Sequence, residues 1–579
     1  MAQVFFPRRY SAVADILIFL FLGAVIYGMV AMGQEWRAEY HPTTAIDLSI
    51  SALPRYSLFS ATRGMVAYLL SLLFTLVVGY GAAKSRKLER VFIPALDILQ
   101  SVPPLGFMPG LVLGLIALFP KTNTGLELTS IILIFTGQVW NMTFSFYSSV
   151  KSLPSDFTEA STVMGLTWWQ KLWRIELPFS AVGLVWNSVL SMAGGWFFLS
   201  VSEAFTLGDK EFRIPGVGSY MAVAIKEGNV KAMVWGVIAM ITIILVLDFL
   251  IWHPILSWVR RFRLEEVPGG QPTEPLMFLL VKEARLIRWL KVLYRKNANR
   301  RRKKELSAPA TQFFKLPALA FIEKPRPQVK PMKFIEPLLW SAAAGTLILA
   351  SVKLLAILIK VDGATWLNIL HATALTFLRI IGALAISTLW AVPMGIWLGL
   401  SSKRIRIAQP IIQVLASFPA PMLYPLVLAL LFSLGMSLSW GSMFLMLMGV
   451  QWYVLFNVLA GALRISQELG DTLSLMHTSR WDRWKFLYIP SVFPALVTGW
   501  VTAAGGAWNA SMVAEYIAYK GKTLECLGLG AMISAAADKA DFPLLAASLT
   551  TMVVFVLVFN RSVWSRVYHL AQTRFRMDM

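Results

Sequence analysis

The chain is 579 residues long, 57% hydrophobic and only 15% charged, with a mean hydropathy of +0.63. A soluble protein carries about a quarter charged residues, so this composition excludes a water-soluble globule. The net charge of +22 does not mark a nucleic-acid binder either, because the basic residues cluster just outside apolar runs, where the positive-inside rule puts them.

Spans of about 20 apolar residues are expected in chain order near 14–32, 62–82, 92–119, 127–149, 181–205 and 230–255. The first has no small-residue cleavage site and reads as a retained span. Basic clusters flank this set at Arg8-Arg9, at Lys84, Arg86, Lys87 and Arg90, and at Arg260, Arg261 and Arg263. A polar, basic, proline-bearing stretch follows from Leu264 to Pro331. It reads as a tether, with an amphipathic run from Phe278 to Tyr294 suited to a membrane surface and a basic block near Arg300–Lys304 suited to anionic lipid. Six more spans are expected near 337–359, 370–400, 407–434, 440–462, 491–514 and 541–560. The expected fold is therefore all-α and polytopic, with about twelve transmembrane helices. The domains are 1–263, a basic linker over 264–335, and 336–579.

The two sets are copies. Arg63, Ser85, Lys87, Arg90, Pro94, Ser101 and Pro103 recur as Arg379, Ser401, Lys403, Arg406, Pro410, Ser417 and Pro419, 316 residues on (379 − 63). Gly137, Trp140, Pro178, Trp196, Glu203, Gly216 and Gly218 recur as Gly449, Trp452, Pro490, Trp508, Glu515, Gly528 and Gly530, 312 residues on (490 − 178). The difference in shift falls around Pro120–Glu127, an expected outside loop where length changes cost little. Six spans per half, with the N-terminus inside, make the repeat parallel and put both termini in the cytoplasm.

Between the fourth and fifth spans lies Lys151–Pro178, with Glu159-Ala160-Ser161, then Gly165, then Ile175-Glu176-Leu177-Pro178. Small residues let a helix sit close on a partner, an acid can meet a basic groove, and Pro178 is expected to break the helix before the next span. This spacing resembles the EAA loop of ATP-binding-cassette importer permeases, E-A-A-x3-G-x9-I-x-L-P, with Ser161 in place of the second Ala. The resemblance implies ATPase docking through Glu159, Ala160, Ser161, Gly165, Leu177 and Pro178. The second loop, 463–490, is a worn copy: Asp471 replaces Glu159, Thr472 replaces Ala160, His477 replaces Gly165, and Pro490 is retained. Whether Asp471, His477 and Pro490 dock the same way is left open.

Ser417-Phe418-Pro419 to Pro425, Ala514-Glu515 and Gly528-Leu529-Gly530 are similar to the nitrate/taurine/sulfonate branch of these permeases. That likeness implies a permease subunit moving a small, often anionic solute across the inner membrane. It also implies a periplasmic or lipid-anchored solute-binding protein and two cytoplasmic ATPase domains that bind the ATP and Mg. With both halves fused, one copy would replace the usual permease dimer.

Pro103 and Pro104, and Pro419 and Pro421, interrupt the third span of each half, as a gate or as an ordinary kink. Arg63 and Arg379 lie in the second spans and either attract an anion or snorkel to headgroups. Glu203 and Glu515 stand at the outer ends of the fifth spans, serving a pathway or capping a helix. No catalytic, metal or cofactor site is expected in this chain. Gly521-Lys522-Thr523 lacks the first glycine of a phosphate-binding loop, since Tyr516 stands there. Cys526 is the single cysteine, which rules out an intramolecular disulfide. A major-facilitator carrier shares the two six-span halves, but Gly81–Arg90 lacks that family's loop pattern and the large loops fall in the wrong place.

Overall fold

In lipid the backbone has only itself for a hydrogen-bond partner, so long apolar runs become helices. The computed structural model describes residues 8–208, 210–259, 262, 335–465, 472, 475–476, 478–519 and 522–574. In the first half these form α1 (Arg8–Arg37), α2 (Ile50–Lys84), α3 (Arg86–Ser101), α4 (Pro104–Leu118), α5 (Thr124–Lys151), α6 (Ser155–Val163) and α7 (Trp168–Ser202). A hairpin follows, β1 (Ala204–Leu207) with β2 (Lys210–Arg213), then α8 (Val217–Lys226) and α9 (Val230–Val259). The second half comprises α10 (Ile335–Leu358), α11 (Gly363–Gly399), α12 (Ser402–Ser417), α13 (Tyr424–Ser433), α14 (Leu438–Ala462) and α15 (Arg480–Ala514). It closes with hairpin β3 (Tyr516–Tyr519) and β4 (Lys522–Glu525), α16 (Leu529–Asp538) and α17 (Phe542–Ala571). The linker expected over 264–335 lies outside the described residues, apart from Ile335.

The chain divides into two units, residues 1–23 with 269–360 and residues 24–268 with 361–579. In the first, the described residues are the start of α1 and α10 with the turn after it. The second holds everything that follows.

Among the described residues, α2, α7, α9, α11, α14, α15 and α17 are long and apolar enough to cross a membrane. The bent pairs α3–α4 and α12–α13 raise the count to nine if each is one span. Helices α1, α5 and α10 stand where the first, fourth and seventh spans are expected. Helix α5 tolerates polar residues because its neighbours cover it: Glu127, Thr129, Ser130, Gln138 and Thr143 are all buried.

The first half is built around the pair α5 with α7, and in the second α14 packs equally closely on α15 and α11. A Cβ on Gly194 would stand 2.8 Å from the Gly137 carbonyl oxygen, so the first pair meets backbone to backbone. The proline breaks are sharper than kinks: 98° between α3 and α4, and 81° between α12 and α13. Pro103 caps α4 with Pro104 in its first turn, and Pro419 caps a short 3-10 turn, Ala420–Leu423, that contains Pro421. Pro178 does not break its helix. A π-helical segment, Leu172–Glu176, lies just upstream, and α7 runs through both. The widened turn makes room for the proline ring and absorbs the hydrogen bond that its missing N–H cannot make. Trp484–Tyr488 serves Pro490 in the same way.

The all-α polytopic fold is as expected, and among the described residues it carries two small inserts, each a single antiparallel hairpin. The first is braced by the loop after α1, where the Arg213 N–H donates to the Pro42 carbonyl at 2.8 Å and the Thr44 N–H to the Arg213 carbonyl at 3.2 Å.

Candidate functional site

The fifth spans end on buried acids that tie three elements together. Glu203 sits at the C-terminus of α7, fully buried. One of its oxygens accepts from Arg63 Nη1 at 2.7 Å and from the Ser60 hydroxyl at 2.7 Å. The other accepts from the Gly218 N–H at 2.7 Å, at the start of α8. Ser60 in turn accepts from the Val217 N–H at 2.9 Å. An acid at a helix N-terminus satisfies orphan N–H groups and meets the positive end of the dipole. Gly216 is needed for this closeness, since a Cβ there would lie 2.2 Å from a Glu203 oxygen.

Arg63 also forks onto Glu127 of α5, Nε to Oε2 and Nη2 to Oε1, both at 2.6 Å. It is therefore turned inward and wholly buried between two acids, not stretched to the headgroups. The second half repeats the clamp with one member missing. Arg379 Nη1 meets Glu515 at 2.6 Å, Thr376 donates to Glu515 at 2.8 Å, and the Gly530 N–H reaches it at 2.9 Å. The place of Glu127 falls to Ser439, whose carbonyl accepts from Arg379 Nε at 3.1 Å. Sequence reasoning missed Glu127 because its repeat partner is not an acid.

Two cavities lie between the halves. One, about 260 Å³, is lined at equivalent positions by Gly137 and Gly449, Trp140 and Trp452, and Pro104 and Ala420; Pro103 also reaches it. Among the described residues, no charged side chain contributes to its wall. Arg63, Arg379, Glu203, Glu515, Pro419 and Pro421 are not in that lining, whereas Phe418 and Ala420, beside Pro419, are. The second cavity, about 410 Å³, opens between the two hairpins and includes Glu211, Arg213, Lys226, Lys522 and Asp538. Above it the first hairpin touches the second half: the Thr206 hydroxyl donates to Asp538, as does the Tyr516 hydroxyl at 2.6 Å. Burial and the Asp538 carboxylate push the Tyr516 phenol above its ordinary pKa. Glu211 accepts from both Lys226 and Arg213, which hold its carboxyl below the usual range.

At the other end, α6 presents the loop residues. Glu159 and Ala160 are exposed, while Ser161 is buried with its hydroxyl on the Thr158 carbonyl at 2.6 Å. The helix closes in a Schellman turn, Leu166 N–H to the Ser161 carbonyl and Gly165 N–H to the Thr162 carbonyl, both 3.0 Å. Gly165 has φ +62°, the left-handed conformation that favours glycine. The turn lifts Val163 and Met164 into the open, 89% and 75% exposed. In the second loop Leu475 and Met476, 312 residues on (475 − 163), are 80% and 70% exposed. Asp471 and His477 lie outside the described residues. Leu177 and Pro178 follow the π segment at the root of α7, as Pro490 does in α15.

Comparison with known proteins places these features in a lineage. Residues 73–252 and 391–575, one stretch in each half, match the family described as binding-protein-dependent transport system inner membrane component. Among curated relatives, the glycine betaine/carnitine transport permease protein GbuB of Listeria monocytogenes is 22% identical over 170 residues, 27% of this chain and 49% of the relative. The taurine transport system permease protein TauC of Escherichia coli is 27% identical over 204 residues, 35% and 67% respectively. The bicarbonate transport system permease protein CmpB of Synechococcus elongatus is 22% identical over 203 residues, 35% and 68%. The chain thus spans about half the length of the first relative and two thirds of the others.

Proposed function

The chain belongs to the binding-protein-dependent transport system inner membrane component family, a multi-pass inner-membrane permease, and from that premise we propose that it is the fused permease core of an ATP-driven importer. The observation that carries this reading is the duplication itself: both halves contain the clamp, the hairpin and the bent third span, and a cavity lies between them. One copy then serves where two permease subunits otherwise pair.

The loop at α6 is the docking site for a cytoplasmic ATPase. Its exposed Glu159, the apolar tip Val163-Met164 and the turn fixed by Gly165 suit insertion into a groove on a partner. ATP and Mg are bound by that partner. The hairpin end faces the periplasm and receives a solute-binding protein, so both termini are cytoplasmic. The solute is small and of the anionic class carried by the taurine, bicarbonate, nitrate and sulfonate relatives. It passes through the cavity walled by Trp140 and Trp452 as the halves rock between inward and outward openings.

The test is affinity purification of the tagged full-length chain in detergent, with Glu159→Lys and Gly165→Trp beside the wild type. Co-purification of an ATPase with wild type, lost in both variants, is the expected result. If no ATPase appears, and solute uptake follows an ion gradient, a major-facilitator type of carrier replaces this reading.

A further inference from the structure

We infer that Glu176 is a positioning residue that ties the first docking loop to the hairpin end of the same half, and that the corresponding positions of the second half do not carry this trio. This rests on the importer reading above. Glu176 is the last residue of the π segment at the root of α7 and is fully buried. It accepts from the Tyr80 hydroxyl at 2.8 Å and pairs with Lys84 at 2.5 Å, both from the last turn of α2. The Tyr80 ring meets the Trp168 ring edge-on at 5.8 Å, and Trp168 opens the short helix that Thr167 and Gln170 cap just after α6. Loop, root of α7 and end of α2 are therefore one packed, hydrogen-bonded joint.

Helix α2 carries that joint in its last turn and Arg63 thirteen residues from its start, with a π turn, Thr75–Gly79, between them. Arg63 grips Glu203 and Glu127, and through Glu203 the start of α8 beside the hairpin. Pinned to buried acids at Arg63 and at Lys84, the stretch of α2 between them moves as one piece, because sliding it past either acid would strand an unpaired ion. In the second half all three positions change together: Tyr80 becomes Ile396, Lys84 becomes Leu400 and Glu176 becomes Tyr488. Ser439 stands in place of Glu127. The Tyr80–Lys84–Glu176 linkage is thus not repeated at the corresponding positions of the second half.

The experiment reads the hairpin end with a cross-link. Thr206→Cys and Asp538→Cys, at a pair in contact, are combined with Cys526→Ala, and a protease site is placed in the linker. After cleavage, cross-linked halves run as one band on a non-reducing gel and free halves as two. In the ATPase complex, adding ATP with vanadate should lower the cross-link yield about fivefold, the low end of ordinary coupling between sites. Glu176→Gln should leave that yield within about twofold of its value without ATP, although the ATPase still co-purifies and hydrolyses ATP. Lys84→Met, at a residue partly open to solvent, should act the same way if Glu176→Gln does not fold. Absence of an ATPase overturns the importer reading. An ATPase that binds, with both variants responding as wild type does, overturns the joint while leaving that reading in place.

Discussion

Removing Arg63 is the sharpest perturbation the hairpin-end clamp offers. Arg63→Met keeps most of the side chain's length and deletes three charge-assisted hydrogen bonds of 2.6, 2.6 and 2.7 Å. Glu203 retains the Ser60 hydroxyl and the Gly218 N–H, so the exposed liability is Glu127, both of whose guanidinium contacts disappear. Breaking a buried pair by removing one partner costs about 3–5 kcal/mol, because an unpaired charge is left behind. Removing the stranded acid as well, in Arg63→Met/Glu127→Leu, should recover more than half of that loss, since replacing a buried pair by apolar residues is often neutral. The assay is reversible unfolding of the purified chain in mixed micelles, followed by tryptophan fluorescence, with the two variants and Glu127→Leu completing a double-mutant cycle. A loss under about 1 kcal/mol for Arg63→Met, or a double variant no better than the single, would refute the view that Arg63 neutralises Glu127.

Other outcomes follow from the same geometry. Arg379→Met should cost less than Arg63→Met in the same assay, because Glu515 keeps Thr376 and the α16 N–H groups and no second acid is stranded. Gly216→Ala should destabilise by about 1–3 kcal/mol through overpacking against Glu203, whereas Gly110→Ala, inside α4 with nothing within 4 Å of its added carbon, should not lower the unfolding midpoint and should raise stability by up to about 1 kcal/mol. Gly165→Ala should cost roughly 1 kcal/mol in its left-handed turn and weaken ATPase recovery without changing chain yield. Glu211, with a depressed pKa, stabilises the hairpin above about pH 4.3 and loses that contribution as pH falls. Glu211→Gln should therefore flatten the acid limb of a hairpin protection profile measured by hydrogen exchange.

Much of the fold is legible in the sequence because lipid leaves few options: a run of 20 apolar residues bounded by Lys and Arg has one structure open to it. The repeat supplies a second check, and Gly137/Gly449 and Trp140/Trp452 do meet in one cavity. The hairpins escaped notice because Ala204–Leu207 continues the apolar run of the fifth span. The Gly208-Asp209 pair before Lys210–Arg213 is a two-residue turn signal that periodicity at 3.6 residues hides. Glu176 was visible only as the variable position of a motif, between Ile175 and Leu177. Its partners Tyr80 and Lys84 are more than ninety residues away in sequence, and no local pattern announces such a contact. Pro178 misled for the opposite reason: the local rule is sound, but a π turn upstream lets the helix run on.

The hairpin end carries a polarity of its own. Asp538, where the first hairpin leans on the second half, corresponds to Lys226, and Thr206 corresponds to Ala518. A surface made by two identical subunits looks the same after half a turn, so a partner can land on it in two equivalent poses. Here half a turn exchanges an acid for a base. For the solute-binding protein proposed above, one pose would be kept and the other rejected, at a loss of about 0.4 kcal/mol in orientational degeneracy (RT ln 2) and with a gain in the certainty of which lobe faces which half.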